Sequence, residues 1–105
     1  MSSDKKLDKI RDIIIETVQP DKIILFGSRA TGEFKEDSDY DIFILKRGIT
    51  NERTITNAVN RALFDKNIFD PIDIVASNPE KFEHNKNNPY RVYKDIFYQG
   101  ITLYG

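Results

Sequence analysis

Residues 22–45, KIILFGSRATGEFKEDSDYDIFIL, carry the reading on which the fold turns. Ile23, Ile24, Leu25 and Phe26 make a continuous apolar run of strand length, the pattern of a strand buried on both faces. Gly27 and Ser28 interrupt it, and Ser28 to Thr31 is expected to form a short helix ending at Gly32. Phe34 to Ser38 is charged and reads as loop. Asp39 to Leu45 then reads as a second strand, with Asp39, Asp41, Phe43 and Leu45 alternating against Tyr40, Ile42 and Ile44. Period-two alternation sends the Asp39 and Asp41 carboxylates to one side. Adjacent carboxylates repel, so the pair suggests either a solvated strand end or a site where hard oxygen ligands bind a cation such as magnesium.

Outward from this stretch, the pattern alternates helix and strand. Leu7, Ile10, Ile14 and Val18, widened by Ile13, form the apolar stripe of a helix over residues 4–18, with Ser3 or Asp4 as its cap. Pro20 and Asp21 end it. Ile55, Ala58, Val59, Ala62 and Leu63 repeat at i, i+3, i+4, i+7 and i+8, which predicts a helix over residues 51–66. Ile72 to Ala76 reads as a third strand entered through Asp70-Pro71, where proline is tolerated. A short helical turn is expected after Pro79. Asn88-Pro89 opens a helix bearing Val92, Tyr93, Ile96 and Phe97, and Gly100 closes it. Ile101 to Tyr104 reads as a short last strand. The whole describes a single α/β (α+β) domain over residues 1–105, a small mixed sheet with helices packed mainly on one face.

Composition narrows the functions open to such a domain. The chain has 105 residues, of which 39% are hydrophobic and 31% charged, as in an ordinary folded protein. Sixteen basic residues nearly balance seventeen acidic ones, so nothing favours strong binding to long nucleic acid. The absence of cysteine excludes disulfides, thiolate zinc sites and cysteine nucleophiles. With neither a signal-peptide pattern nor a membrane-length apolar run, the expected location is cytoplasmic.

Three features carry chemistry. Gly27 after a buried strand permits a sharp turn and close approach of a phosphate to the backbone, and Ser28 adds a hydroxyl donor, though the same dipeptide also makes ordinary turns. No Gly-Lys-Ser/Thr follows, so this is not a Walker A loop. Asp73 lies inside an apolar strand, where an acid is costly to bury unless paired or metal-bound. If strands 39–45 and 70–76 are neighbours, Asp39, Asp41 and Asp73 converge beside the turn. That is the acid set a two-metal phosphoryl-transfer site requires, the third acid being able to help deprotonate the attacking hydroxyl. His84 sits in a polar stretch and reads as a surface residue. Tyr90, Tyr93, Phe97 and Tyr98 read first as packing residues of the last helix.

The segment GSRATGEFKEDSDYDIFI resembles the core motif of the polymerase beta-like nucleotidyltransferase superfamily, which includes the aminoglycoside nucleotidyltransferases. PIDIV resembles the strand that carries its third acid, and GITLYG resembles the ending of its minimal nucleotidyltransferase branch. The resemblance implies that Gly27 and Ser28 hold a nucleoside triphosphate, that Asp39 and Asp41 bind two magnesium ions, and that Asp73 completes the triad. Arg29 is placed either to neutralise a phosphate or to remain solvated. Thr31-Gly32 departs from the Arg-Gly of many relatives, so no basic side chain acts at position 31. The implied activity is magnesium-dependent transfer of a nucleoside monophosphate, AMP from ATP in the simplest case, to a hydroxyl. With little room for an acceptor site, the acceptor is expected on another polypeptide. Minimal nucleotidyltransferases are often paired with a helical HEPN protein, an RNase toxin that they neutralise by adding AMP to a tyrosine. A binding antitoxin or scaffold without catalysis, and transfer to a small-molecule or RNA hydroxyl within a larger complex, remain alternatives. Association into homo- or hetero-oligomers is compatible with the small sheet.

Overall fold

In a computed structural model the described residues are 4–33, 35, 38–85, 96 and 98–105. The elements are α1 (Lys5–Val18), β1 (Lys22–Phe26), α2 (Ser28–Thr31), β2 (Tyr40–Leu45), α3 (Glu52–Asp65), β3 (Ile72–Ser77), α4 (Pro79–Asn85) and β4 (Ile101–Tyr104). Ser3, part of the 34–38 loop and most of the helix expected from Asn88-Pro89, including Tyr90, Tyr93 and Phe97, lie outside the described residues.

Each helix begins where local chemistry allows it. Asp4 accepts the Leu7 amide at 3.0 Å and caps α1, while Asn51 accepts the Arg53 amide at 3.0 Å and caps α3. At its other end α1 stops in left-handed Gln19, whose amide reaches the Ile15 carbonyl at 3.0 Å. α1 buries Leu7, Ile10, Ile13, Ile14 and Val18, and α3 buries Ile55, Val59 and Leu63. Burial of each such side chain contributes roughly 1.5–3 kcal/mol, so these two stripes supply much of the force holding the helices to the sheet.

The sheet order is β3-β2-β1-β4. β1 pairs antiparallel with β2 and with β4, while β2 and β3 run parallel, joined through α3. Register and alternation then assign the faces. Ile23, Leu25, Tyr40, Ile42, Ile44 and Ala76 meet α1 and α3 in the larger core. Ile24, Phe26 and Phe43 point the other way and form a smaller cluster with Ile96, flanked by Leu45, Val75 and Phe82 of α4. The two long helices therefore share one face, as expected, and among the described residues the second face has a smaller apolar cluster. No helix among the described residues is long and apolar enough to cross a membrane.

β2 starts one residue later than the alternation suggests. The Tyr40 amide donates to the Pro71 carbonyl at 3.0 Å, and Pro71 has no N–H with which to extend the parallel ladder. Asp39 is thus an exposed residue at the strand's mouth rather than a paired one.

Candidate active site

Five of the residues singled out above meet at one end of the sheet. Phe26, the last residue of β1, is opposite Asp41, and Asp41 is opposite Asp73 in the parallel pair. Facing residues on neighbouring strands share a sheet face, about 5 Å apart along the hydrogen-bonding direction. Both acids therefore project from the face opposite α1 and α3, in line with Phe43 and Val75. Asp39 precedes them by one pleat. Gly27 and Ser28 turn away from β1 immediately beside Asp41.

Gly27 has a reason to be glycine. Its backbone lies at φ 75° and ψ −157°, a region essentially confined to glycine. A Cβ built on it would collide with Oδ2 of Asp41 and lie 3.0 Å from that residue's Cγ. The missing side chain is the space in which the Asp41 carboxyl rests, so the turn and the acid are locked together. The Ala30 and Thr31 amides fold back onto the Gly27 carbonyl at 3.0 and 3.2 Å, and α2 begins at Ser28 with no side-chain cap.

The electrostatics single out Asp41. It is half-buried, whereas Asp39 and Asp73 are exposed. Burial pushes the Asp41 carboxyl above its ordinary range, and the negative charges of Asp73 and then Asp39 push it further in the same direction. No basic side chain or hydrogen-bond donor among the described residues relieves it. A fold selected for stability alone would gain by losing such a charge. Asp41 in its glycine cradle, with Asp73 opposite and Asp39 one pleat away, supplies hard oxygen donors of the kind a divalent cation takes, although the three do not stand as a preformed metal cage. Among the described residues no three acidic or histidine side chains close into a cage around one point, so the acids converge on the site without enclosing it.

Arg29 is engaged on the opposite side of the strand. Its Nε donates to the Ser38 carbonyl at 3.0 Å, and its guanidinium carbon lies 4.0 Å from the centre of the Tyr40 ring. Tyr40 in turn donates its hydroxyl to Asp4 Oδ2 at 3.0 Å. Asp4 thus caps α1 with one oxygen and anchors β2 with the other. Sequence reasoning assigned no role to Tyr40 or to this second use of Asp4; the available signal was Tyr40's position between two acids, which alternation turns toward the α1 layer. The Asp4–Tyr40–Arg29 series braces the mouth of β2, where Asp39 and Asp41 stand. His84 is exposed at the end of α4, as expected of a surface residue.

Comparison with known proteins bears on the family and the fold. The family model described as polymerase beta, nucleotidyltransferase matches residues 8–105. A chain from the crystal structure of the toxin-antitoxin with AMP-PNP superposes with a TM-score of 0.65 at 20% identity, covering 93% of this chain and 72% of that one. That likeness is one of fold. No curated protein matches.

Proposed function

The chain belongs to the polymerase beta nucleotidyltransferase family, and on that premise we propose that it transfers AMP from ATP to a hydroxyl of a second protein. The observation that carries the reading is Asp41, half-buried, flanked by two further acids, unrelieved by any described cation, and packed into the Gly27 turn. In this reading Gly27 and Ser28 receive the triphosphate. The glycine brings the main chain close to it, and the Ser28 hydroxyl donates to a phosphate oxygen. Asp39, Asp41 and Asp73 would hold the magnesium that this chemistry uses, one ion or two. The metal supplies Lewis-acid stabilisation of charge developing on the phosphoryl oxygens.

The remaining work belongs to the chain itself. The acceptor oxygen attacks the α-phosphorus in line, the bond from the α-phosphorus to the bridging oxygen breaks, and pyrophosphate leaves. The proton of the attacking hydroxyl passes to Asp73, the more exposed of the two paired strand acids and the one on an edge strand that an acceptor reaches. The Asp4–Tyr40–Arg29 brace keeps Asp39 and Asp41 in register with the turn, so Arg29 acts first by positioning and only indirectly on the phosphates.

The similar chain solved in a toxin-antitoxin crystal with AMP-PNP, an ATP analogue, supports ATP as donor and a toxin as acceptor. The minimal nucleotidyltransferase resemblance supports a HEPN-type toxin labelled on tyrosine, and hence an antitoxin acting in the cytoplasm. The test is to incubate the protein with α-labelled ATP, magnesium and a HEPN partner. Label on a partner tyrosine supports the reading. Neutralisation of the toxin by Asp39→Ala/Asp41→Ala as effective as by the unaltered protein would instead establish a binding antitoxin.

A further inference from the structure

The solvent-facing side of α3 has no role in the site, and its chemistry is unusual for a surface helix. Phe64 and Phe69 are 65% and 66% exposed and pack edge to face, with ring centres 5.4 Å apart at 75°. Phe69 is held outward by its neighbours. Ile68 is buried and donates its amide to the Leu63 carbonyl at 2.9 Å, and Asp70 is paired with Lys6 at 3.0 Å. Asn57, Asn60, Arg61 and Asp65 continue the stripe at helical spacing, opposite the buried Ile55, Val59 and Leu63, and line a shallow groove with Phe64. Neither Arg61 nor Asp65 forms an ion pair with a described residue, although they stand one turn apart.

We propose that this face of α3 binds a second copy of the chain, forming a two-fold dimer through antiparallel α3 helices. The stripe is complementary to itself. A two-fold axis midway between Arg61 and Asp65 sets each arginine against the aspartate of the other copy and brings the two Phe64 rings together at the axis. Phe69 then extends the apolar centre, and the two asparagines supply a polar rim. Aromatic and arginine side chains at the middle of a patch are the groups that contribute most to protein association. The rings alone offer roughly 200–300 Å² per copy, well short of the ~800 Å² per partner of a standard interface, so Asn57, Asn60, Arg61 and Asp65 must bury the rest and dimerisation is weak, on the order of 10–100 μM. The α3 layer lies on the opposite face of the sheet from Asp41 and Asp73, so a dimer leaves both acid sites open.

The test is sedimentation velocity over that concentration range, on variants whose helicity is confirmed by circular dichroism. The weight-average mass of the unaltered chain is expected to rise from 12.2 kDa toward twice that value. Phe64→Ser/Phe69→Ser should remain monomeric throughout. Arg61→Asp and Asp65→Arg should each weaken the dimer at least tenfold by placing like charges together, and the double swap should restore it. A monomer at every concentration overturns the proposal and leaves the face to a different protein. A dimer unaffected by the phenylalanine changes, or a double swap no better than the singles, overturns it equally. None of these outcomes depends on the catalytic reading.

Discussion

Replacing Gly27 by alanine examines the junction between turn and acid from both sides. Two effects add there. Forcing alanine into the Gly27 conformation costs about 1–3 kcal/mol in the backbone. Crowding its Cβ against the Asp41 carboxyl adds a further ~1–3 kcal/mol, since either the acid or the turn must move. Gly32 supplies the control. It also has positive φ, at 85°, but a Cβ there meets nothing within 4 Å. Gly32→Ala should therefore cost only the backbone part, about 1–2 kcal/mol. Urea denaturation of both variants without metal should place Gly27→Ala roughly 1–3 kcal/mol below Gly32→Ala, the crowding share. Most of the crowding share should disappear when the carboxyl is removed, because Asp41→Ala leaves only a Cβ 3.3 Å away, which a small shift accommodates. The Gly27→Ala/Asp41→Ala cycle should thus show coupling of about 1–3 kcal/mol. Equal losses at the two glycines, or strictly additive effects in the cycle, would refute the claim that Gly27 exists to seat Asp41.

Three further outcomes follow from the same geometry. Asp41→Asn should make the metal-free protein more stable at neutral pH, because the charged form is disfavoured in the fold by burial, Asp73 and Asp39. With its folded pKa raised above the ordinary value of 3.8, the native state holds the proton more tightly than the unfolded chain. The unaltered protein should therefore close the gap on the variant as pH falls through the folded pKa toward 3.8, and paired urea curves across pH 4–8 check this. Magnesium should raise the thermal midpoint of the unaltered protein and leave that of Asp41→Asn in place. Tyr40→Phe should cost about 1 kcal/mol by removing the hydroxyl bond to Asp4. It should also lower kcat with little change in the KM for ATP, since the lost hydroxyl anchors the mouth of β2 to Asp4 and not to Gly27 or Ser28.

Much of this arrangement was legible in the chain because it rests on local rules. The i, i+3, i+4 apolar repeat located α3, the unbroken Ile23–Phe26 run located β1, and Ser28 to Gly32 bounded α2. Alternation placed Asp41 with Phe43 and opposite Tyr40 before any coordinates. The Asp41–Asp73 register was not legible. Parallel pairing is set by how α3 spans the two strands, and nothing local to either strand specifies which residues face. The retreat of β2 from Asp39 depends on Pro71 in a partner strand. Likewise Arg29 looked like a counter-charge from its place after the turn, whereas the ring it stacks on and the carbonyl it meets lie beyond the loop. Phe64 was invisible as a surface residue, because an aromatic in an amphipathic helix reads equally well as core.

In the function proposed above, Asp39, Asp41 and Asp73 convert the Gly27–Ser28 turn into a nucleotidyl-transfer site. It is tested most directly by following α-labelled and γ-labelled ATP in parallel with magnesium and the toxin partner. The α label should become covalently attached to the partner with one pyrophosphate released per label. The γ label should leave in pyrophosphate, and both signals should be lost in Asp39→Ala/Asp41→Ala. Attachment of the γ label, or α labelling that survives in that variant, would contradict it.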